Sequence, residues 1–485
     1  MKYLNLDIRA LSLMRIGIAF LLMLDLSIRL NDLEAFYSNT GVAPLSMIFE
    51  NAWNDYYISL HTISGLWQVQ FLIFCFAFFC ALMLFIGYRT KLFTFLSWIM
   101  LLSLHNRNEI ILQGGDDLLR LTLFWAMFLP WGSRYSYDST HNINENSLPL
   151  QIRNWATLAY LLQISYVYTG SALLKGAEWN TDFTALYYVY SLDQIAYPVS
   201  HFFYTKPELM KVLTAIAYYF ELFVPLLFFF PFKNGLFRLI AFIFITGFHL
   251  FNGFTVFIGL FFLIGITSTI GILPTFALDY FDRITARLKP IFIQSFNGIA
   301  YPLKYIIKWR PQKAMNAFTD KVNTGILIFL VLFVFYWNLS NIPSLIFKPS
   351  ENIKPLAYSL RLDQCWGMFA PNVFKDDGWF IYEATTFSGE HFDLLHPKNT
   401  LTFNKTECTL YSCPNDRWRK YGENYILADH DFMRGYFCNY KMRTWNEKHP
   451  ERKIKTLSVI YMSEFSQPDY KYSKPEKIIL FECGE

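Results

Sequence analysis

LSLMRIGIAFLLMLDLSIRL, residues 11–30, decides how the rest of the chain is read. An apolar stretch near 20 residues matches a helix that crosses a hydrocarbon core about 30 Å thick. Arg15, Asp25 and Arg29 interrupt it, and no small-residue cleavage site follows. It therefore reads as a retained helix and not as a signal peptide. Similar stretches recur at 66–87, 92–106, 118–132, 155–174, 208–231, 235–253, 254–274 and 323–342. The expected fold is a polytopic α-helical membrane protein of about nine spans. The third and fourth stretches are short, so the chain between them can dip into the membrane without crossing twice. Segment 183–204 is aromatic but broken by Asp193 and Pro198, which places it at the interface.

Composition agrees. Of 485 residues, 54% are hydrophobic, 19% aromatic and only 16% charged. A soluble domain carries about 25% charged residues, and this much Phe and Tyr in water would form aggregating patches. No basic helix or basic–aromatic ladder suggests a nucleic-acid partner. Lys and Arg sort the loops. Loop 31–65 has Asp32, Glu34, Glu50 and Asp55 and no cation, whereas 275–322 carries Arg283, Arg287, Lys289, Lys304, Lys308, Arg310, Lys313 and Lys321. Positive loops stay cytoplasmic, so the expected N-terminus is cytoplasmic and the C-terminal part lies outside.

The domains expected are 1–345, helical and membrane-embedded, and 346–485, an exoplasmic α+β or β-rich unit. Runs at 378–387, 454–465 and 477–483 read as strands, with one or two helices over 415–447. Cys365, Cys408, Cys413, Cys438 and Cys483 fall in this part. An exoplasmic site permits disulfides; Cys408 and Cys413 are near enough in sequence to pair, and the odd count leaves a thiol free. No metal site is expected, because no CxxC pair or nearby histidine completes a tetrahedral set.

Ionisable groups inside spans are functional candidates by default. Asp25 and Arg29, four apart, can pair on one face. Asp116, Asp117 and Arg120 follow Gly114-Gly115 and either complement a helix dipole or line a polar entrance. Lys175 ends the span YVYTGSALLKGAEW, where a lysine ordinarily snorkels to the headgroups. Glu221 in YYFELFVPLLFFF is flanked by apolar residues, and Pro225 frees its carbonyl from the helix ladder. His249 and Asn252 in GFHLFNGFTVFIGLF lie three apart on one face. No P-loop, GxSxG, HExxH or dinucleotide fingerprint occurs.

In order along the chain, these motifs resemble the vitamin K-dependent γ-carboxylase family and its bacterial relatives with an HTTM membrane domain. The residues that carry the likeness are LSLMRIGIAFLLMLDLSIRL, FIGYRT (85–90), LHNRNEIILQGGDDLLRL, YVYTGSALLKGAEW and GFHLFNGFTVFIGLF, then LDQCWGMFAPN and RWRKYGENY more loosely. The resemblance implies an integral protein of the bacterial inner membrane. It implies an enzyme of the carboxylase or lyase type that takes reduced vitamin K or a menaquinol-like quinol, with oxygen and carbon dioxide as co-substrates. A glutamate of a protein or peptide on the exoplasmic side would be carboxylated. Lys175 would be the base, with Trp179 as its anchor and His249 beside it as a catalytic group. Asn252, Glu221 and Asp116 would bind the cofactor. A partly neutral lysine suits this task, since burial disfavours its charged form. Two features depart from the pattern: the segment Gly114-Gly115-Asp116-Asp117 stands where the animal enzymes carry a histidine, and no large propeptide-binding region is present. The competing reading is a non-carboxylating membrane factor for maturation or export of a peptide or protein.

Overall fold

A computed structural model describes residues 4–141, 149–286, 317–345, 348–406 and 409–484. Helices occupy all the places the apolar pattern marked: α1 (Ile8–Asn31), α2 (Trp67–Ile86), α3 (Thr90–Arg107), α4 (Gly114–Ala126), α5 (Trp155–Leu174), α6 (Pro207–Phe223), α7 (Asn234–Thr255), α8 (Phe261–Thr269) and α9 (Ala317–Ser340). Five helices are long and apolar enough to cross a membrane: Ile8–Asn31, Trp67–Ile86, Pro207–Phe229, Asn234–Thr255 and Lys321–Ser340. A sixth span results if Phe261–Ile272 and Thr275–Thr285, bent by 105°, count as one.

The expected count of nine is therefore not what length and composition support. α4 has 13 residues, about 20 Å of helix at 1.5 Å per residue, which is too short for the hydrocarbon core. It is enclosed instead: Gly115, Asp116 and every residue from Leu118 to Ala126 are buried. Apolar side chains at those positions meet other helices and not lipid, so hydropathy alone does not distinguish them from a span.

Local chemistry fixes the helix ends. Arg15 on α1 donates to the carbonyls of Leu84 and Phe85 at the end of α2, and to Tyr135 O at 2.5 Å and Trp131 O at 3.2 Å. It thus serves carbonyls at a helix terminus, sharing that of Leu84 with Gly87 N. α5 opens with a reciprocal cap, Thr157 N to Asn154 Oδ1 at 2.9 Å and Asn154 N to Thr157 Oγ1 at 3.1 Å. α6 begins on Pro207 and stops two residues before Pro225, which has no N–H to continue the ladder.

The C-terminal part forms an antiparallel sheet of β1 (Trp379–Thr386), β2 (His391–Asp393), β3 (Ile454–Ser463) and β4 (Glu476–Gly484), in the order β2-β1-β3-β4. Two helices, α10 (Asp416–Tyr425) and α11 (Arg434–Lys448), fill the interval between β2 and β3, as the sequence anticipates. The disulfide joins Cys438 on α11 to Cys483 on β4. By sequence proximity alone, Cys408 and Cys413 are near enough to pair. Packing α11 on the sheet brings together cysteines 45 residues apart, a long-range contact that spacing does not reveal. Cys413 is free, and Cys408 lies outside the described residues, as do Arg287, Lys289, Lys304, Lys308, Arg310 and Lys313 of the basic loop.

Lys441 on α11 has no ion pair among the described residues. Its ammonium sits 4.9 Å from the Trp418 ring, 5.4 Å from Phe437 and 5.7 Å from Tyr382. Burial pushes this amine down to about 8. Between that value and the ordinary lysine range, the unfolded chain holds a proton that the folded chain lacks, so stability rises with pH. We expect resistance to thermal unfolding to climb from pH 8 toward pH 10, by about 1.4 kcal/mol per pH unit from this group. The contribution of Lys441 should be flat below pH 8. Lys441→Met should remove the climb, read from melting curves of the two proteins across that range.

The sheet domain is joined to the acidic side of the bundle. Asp32 accepts from Asn415 Nδ2 at 2.6 Å and from Trp418 Nε1 at 2.8 Å, and Arg443 pairs with Glu34 at 3.2 Å. Loop 31–65 and the C-terminal domain therefore share one face of the molecule.

Candidate functional site

Two groups of buried polar residues lie near that face. The first is built on α5 and α6. Lys175 caps the end of α5 and forms an ion pair with Glu221 of α6, both side chains being less than a tenth exposed. The ammonium also lies 4.0 Å from the centre of the Trp179 ring. Lys175 is thus held inward, buried and paired. Segment 366–373 closes over it. Gly176 N donates to Pro371 O at 2.7 Å, Trp179 Nε1 to Phe369 O at 2.9 Å, and Val373 N to Glu178 Oε2 at 3.0 Å. Trp366 packs where Gly170 leaves room.

Two helical turns before Lys175, on the same face of α5, Tyr168 Oη lies 2.9 Å from His249 Nε2. The Tyr168 ring also meets Phe220, the neighbour of Glu221 on α6, edge-on at 6.1 Å, so the pairs Lys175–Glu221 and Tyr168–His249 form one buried array along the seam of α5, α6 and α7. His249 Nδ1 is buried with no partner among the described residues. The imidazole fits because α8 presents Gly265 to it. A Cβ at 265 would overlap the ring, forcing the helices apart at about 1–3 kcal/mol. We expect Gly265→Ala to lower the melting midpoint. Gly247→Ala on α7, where nothing lies within 4 Å, should leave it within a degree or two of the parent.

The remaining two predicted residues stand apart from this array. Asn252 is half-buried one turn beyond His249, and no hydrogen bond among the described residues links its side chain to Lys175 or Glu221; its carbonyl accepts from Val256 N at 2.8 Å. Asp116 belongs to the second group, an assembly of charges between bundle and sheet domain.

In that second group, Arg29 donates to Asp25 at 2.8 Å, to Asp116 at 2.5 Å and to Tyr37 Oη at 2.9 Å. Arg417 of α10 reaches in from the C-terminal domain. It bridges Asp116 at 2.5 and 2.8 Å and Asp25 at 2.8 Å, and donates to Ile111 O at 3.0 Å. Two guanidiniums face two carboxylates, all buried. His105 lies beside them, 3.6 Å from Asp116. Asp25 with Arg29 is the pair the sequence suggests, but Arg417 and Tyr168 were missed. A signal for Arg417 existed: Asp25 and Asp116 against Arg29 alone leave one buried negative charge without a partner, which must come from elsewhere in the chain.

A bundle of apolar helices, with charges inside and a mixed domain sealed on one face, defines an integral membrane protein. The profile of the lipase maturation factor transmembrane domain matches residues 9–275, and the chain belongs to that family. This family is related to the vitamin K-dependent carboxylases with HTTM domains but is distinct from them. The match spans α1 to α8, including Lys175, Glu221 and His249, and ends before the sheet domain. No curated protein and no solved structure matches the chain.

Proposed function

We propose that this protein is a membrane maturation factor that assists the folding of an exported protein, a lipase being the class its family name indicates. The observation that carries the reading is Arg417. It fastens a folded sheet domain to the face of the bundle that carries loop 31–65, and in this reading the two together offer an emerging chain a composite surface. In this reading the acidic loop and sheet domain face outside and the N-terminus is cytoplasmic, as the positive loops direct. Lys175–Glu221 then works as a buried fastener between α5 and α6 next to the segment that closes over them. Deleting the gene in the cell of origin tests it. The specific activity of a secreted lipase should fall severalfold at equal secreted protein and return with the restored gene. Unchanged specific activity would refute the reading.

A carboxylase reading has one observation in its favour, a lysine held inside the bundle, with His249 two turns along the same seam and its Nδ1 without a partner among the described residues. A quinol supplies the strong base in that chemistry; this chain would contribute Lys175 to take a proton and His249 to hydrogen-bond the bound ring. The residues fit in part, because Glu221 already engages the amine. Quinone-dependent carbon dioxide fixation in isolated membranes, lost in the Lys175→Met, Glu221→Leu double variant at parental protein levels, would establish it. Membranes that fix none would dismiss it.

A further inference from the structure

Past α8 the chain turns at Pro274 into a short helix, Thr275–Thr285, set at 105° to Phe261–Ile272. Proline has no N–H with which to continue the preceding helix. Eleven residues make about 16 Å of helix, about half the depth of the hydrocarbon core, so this helix is too short to cross alone. The spans around it fix its level. Arg9, in the first turn of α1, pairs with Asp282 at 2.7 Å and with Asp279 at 2.9 Å. Phe276 packs against Gly235 in the first turn of α7, its ring 3.3 Å from where a Cβ would stand. The helix therefore lies where α1 and α7 begin. The sheet domain is at the other end of the bundle, tied to Asp32 just past the end of α1.

The short helix has three flanks. Leu278 is buried, and Asp279 and Asp282 share Arg9. Phe276, Tyr280 and Ile284 stand four apart and so form one stripe. They are 51%, 67% and 59% exposed, and Phe281 beside them is exposed as well. Arg283, seven residues after Phe276, falls on the border between the stripe and the acidic flank. Phe276 also borders the turn between α6 and α7, whose Phe232 and Leu236 are exposed and whose Lys233 ammonium lies 5.5 Å from the Phe232 ring.

Such a run of aromatic and branched side chains is unfavourable in water, and no described residue covers it. The bilayer is the occupant its position selects. α7 is long and apolar enough to be a span, so its first turn marks the edge of the hydrocarbon, and Phe276 sits at that turn. Rings at the headgroup level with Lys and Arg beside them are what this boundary favours. A helix with one apolar flank and one charged flank lies along the surface there. We infer that Thr275–Thr285 is a lipid-binding surface lying in the plane of the membrane and not the second half of a crossing. Phe276, Tyr280 and Ile284 enter the layer between headgroups and acyl chains, and Arg283 extends along that apolar flank to the headgroups.

The test places an environment-sensitive fluorescent amino acid in the full chain, in place of Phe276, Tyr280 or Ile284, one at a time. The protein is held in vesicles of phosphatidylcholine and phosphatidylglycerol. Quenching by lipids with a nitroxide on the headgroup, high on the acyl chain or deep in it gives the depth of each position, and aqueous iodide reports contact with water. These side chains are exposed, so each replacement leaves the buried Leu278 and the Arg9 pairs in place, and three positions keep the result independent of any one. All three should be quenched more by the shallow nitroxides than by the deep one. Positions 276 and 284 should differ in depth by less than about 6 Å, whereas a crossing helix separates them by about 12 Å. The proposal is overturned if they differ by more than about 6 Å, or if iodide alone quenches, which puts the stripe in water. It is overturned equally if neither lipid nitroxides nor iodide quench, which means that a second copy or a protein partner covers it.

Discussion

Arg417→Met is expected to cause the largest stability loss of any single substitution outside the apolar core, about 3–5 kcal/mol. Removing the guanidinium leaves Asp25 and Asp116 facing Arg29 alone, with a net negative charge sealed between bundle and sheet domain. A buried charge without its partner loses hydration and gains nothing in return. The melting midpoint in detergent should drop by many degrees, and protease should cut the C-terminal domain at temperatures the parent survives. Arg417→Lys should rescue only in part, because one ammonium cannot serve two carboxylates as the planar fork does. Pairing Arg417→Met with Asp116→Asn should recover more than Arg417→Lys, since it restores charge balance.

The second large effect concerns Lys175 and Glu221. Either one replaced alone strands the other in an apolar wall, and each single variant should lose several kcal/mol of stability, about as much as breaking any buried ion pair. The double variant Lys175→Met, Glu221→Leu replaces the pair with side chains of similar bulk. It should melt near the parent, because burying a matched apolar pair requires no dehydration of charge. Melting curves of all four proteins give the coupling between the two positions directly. A double variant as unstable as either single variant would mean that the pair does not act as a unit.

What the sequence made legible follows from the reach of each signal. Apolar runs of 20 residues mark the helices, and alternation marks β1, β3 and β4, since both are local periodicities. Five or six of the nine expected crossings pass on length and composition, and α4 is not among them because its apolar side chains are surrounded by protein. Asp25 with Arg29 was visible because a helix puts residues four apart side by side. Lys175 with Glu221 was visible only as two separate anomalies, each a charge in an apolar setting, and no rule of spacing joins residues on different helices. Arg417 looks like one more cation in the polar stretch RWRKYGENY, and only the fold takes it 392 residues back along the chain to Asp25. Family assignment shows the same limit. The motifs led to the vitamin K-dependent carboxylases, which are related to but distinct from the family whose model matches residues 9–275.

The most direct test of a maturation role is the specific activity of a secreted lipase in deletion cells that carry the parent gene, Arg417→Met, or Lys175→Met with Glu221→Leu. The parent and the double variant should restore it alike, and Arg417→Met should restore little, since the client surface depends on the docked domain and not on a lysine base. The account is contradicted if the double variant, present at parental levels and equally stable, fails to restore activity while Arg417→Met restores it fully.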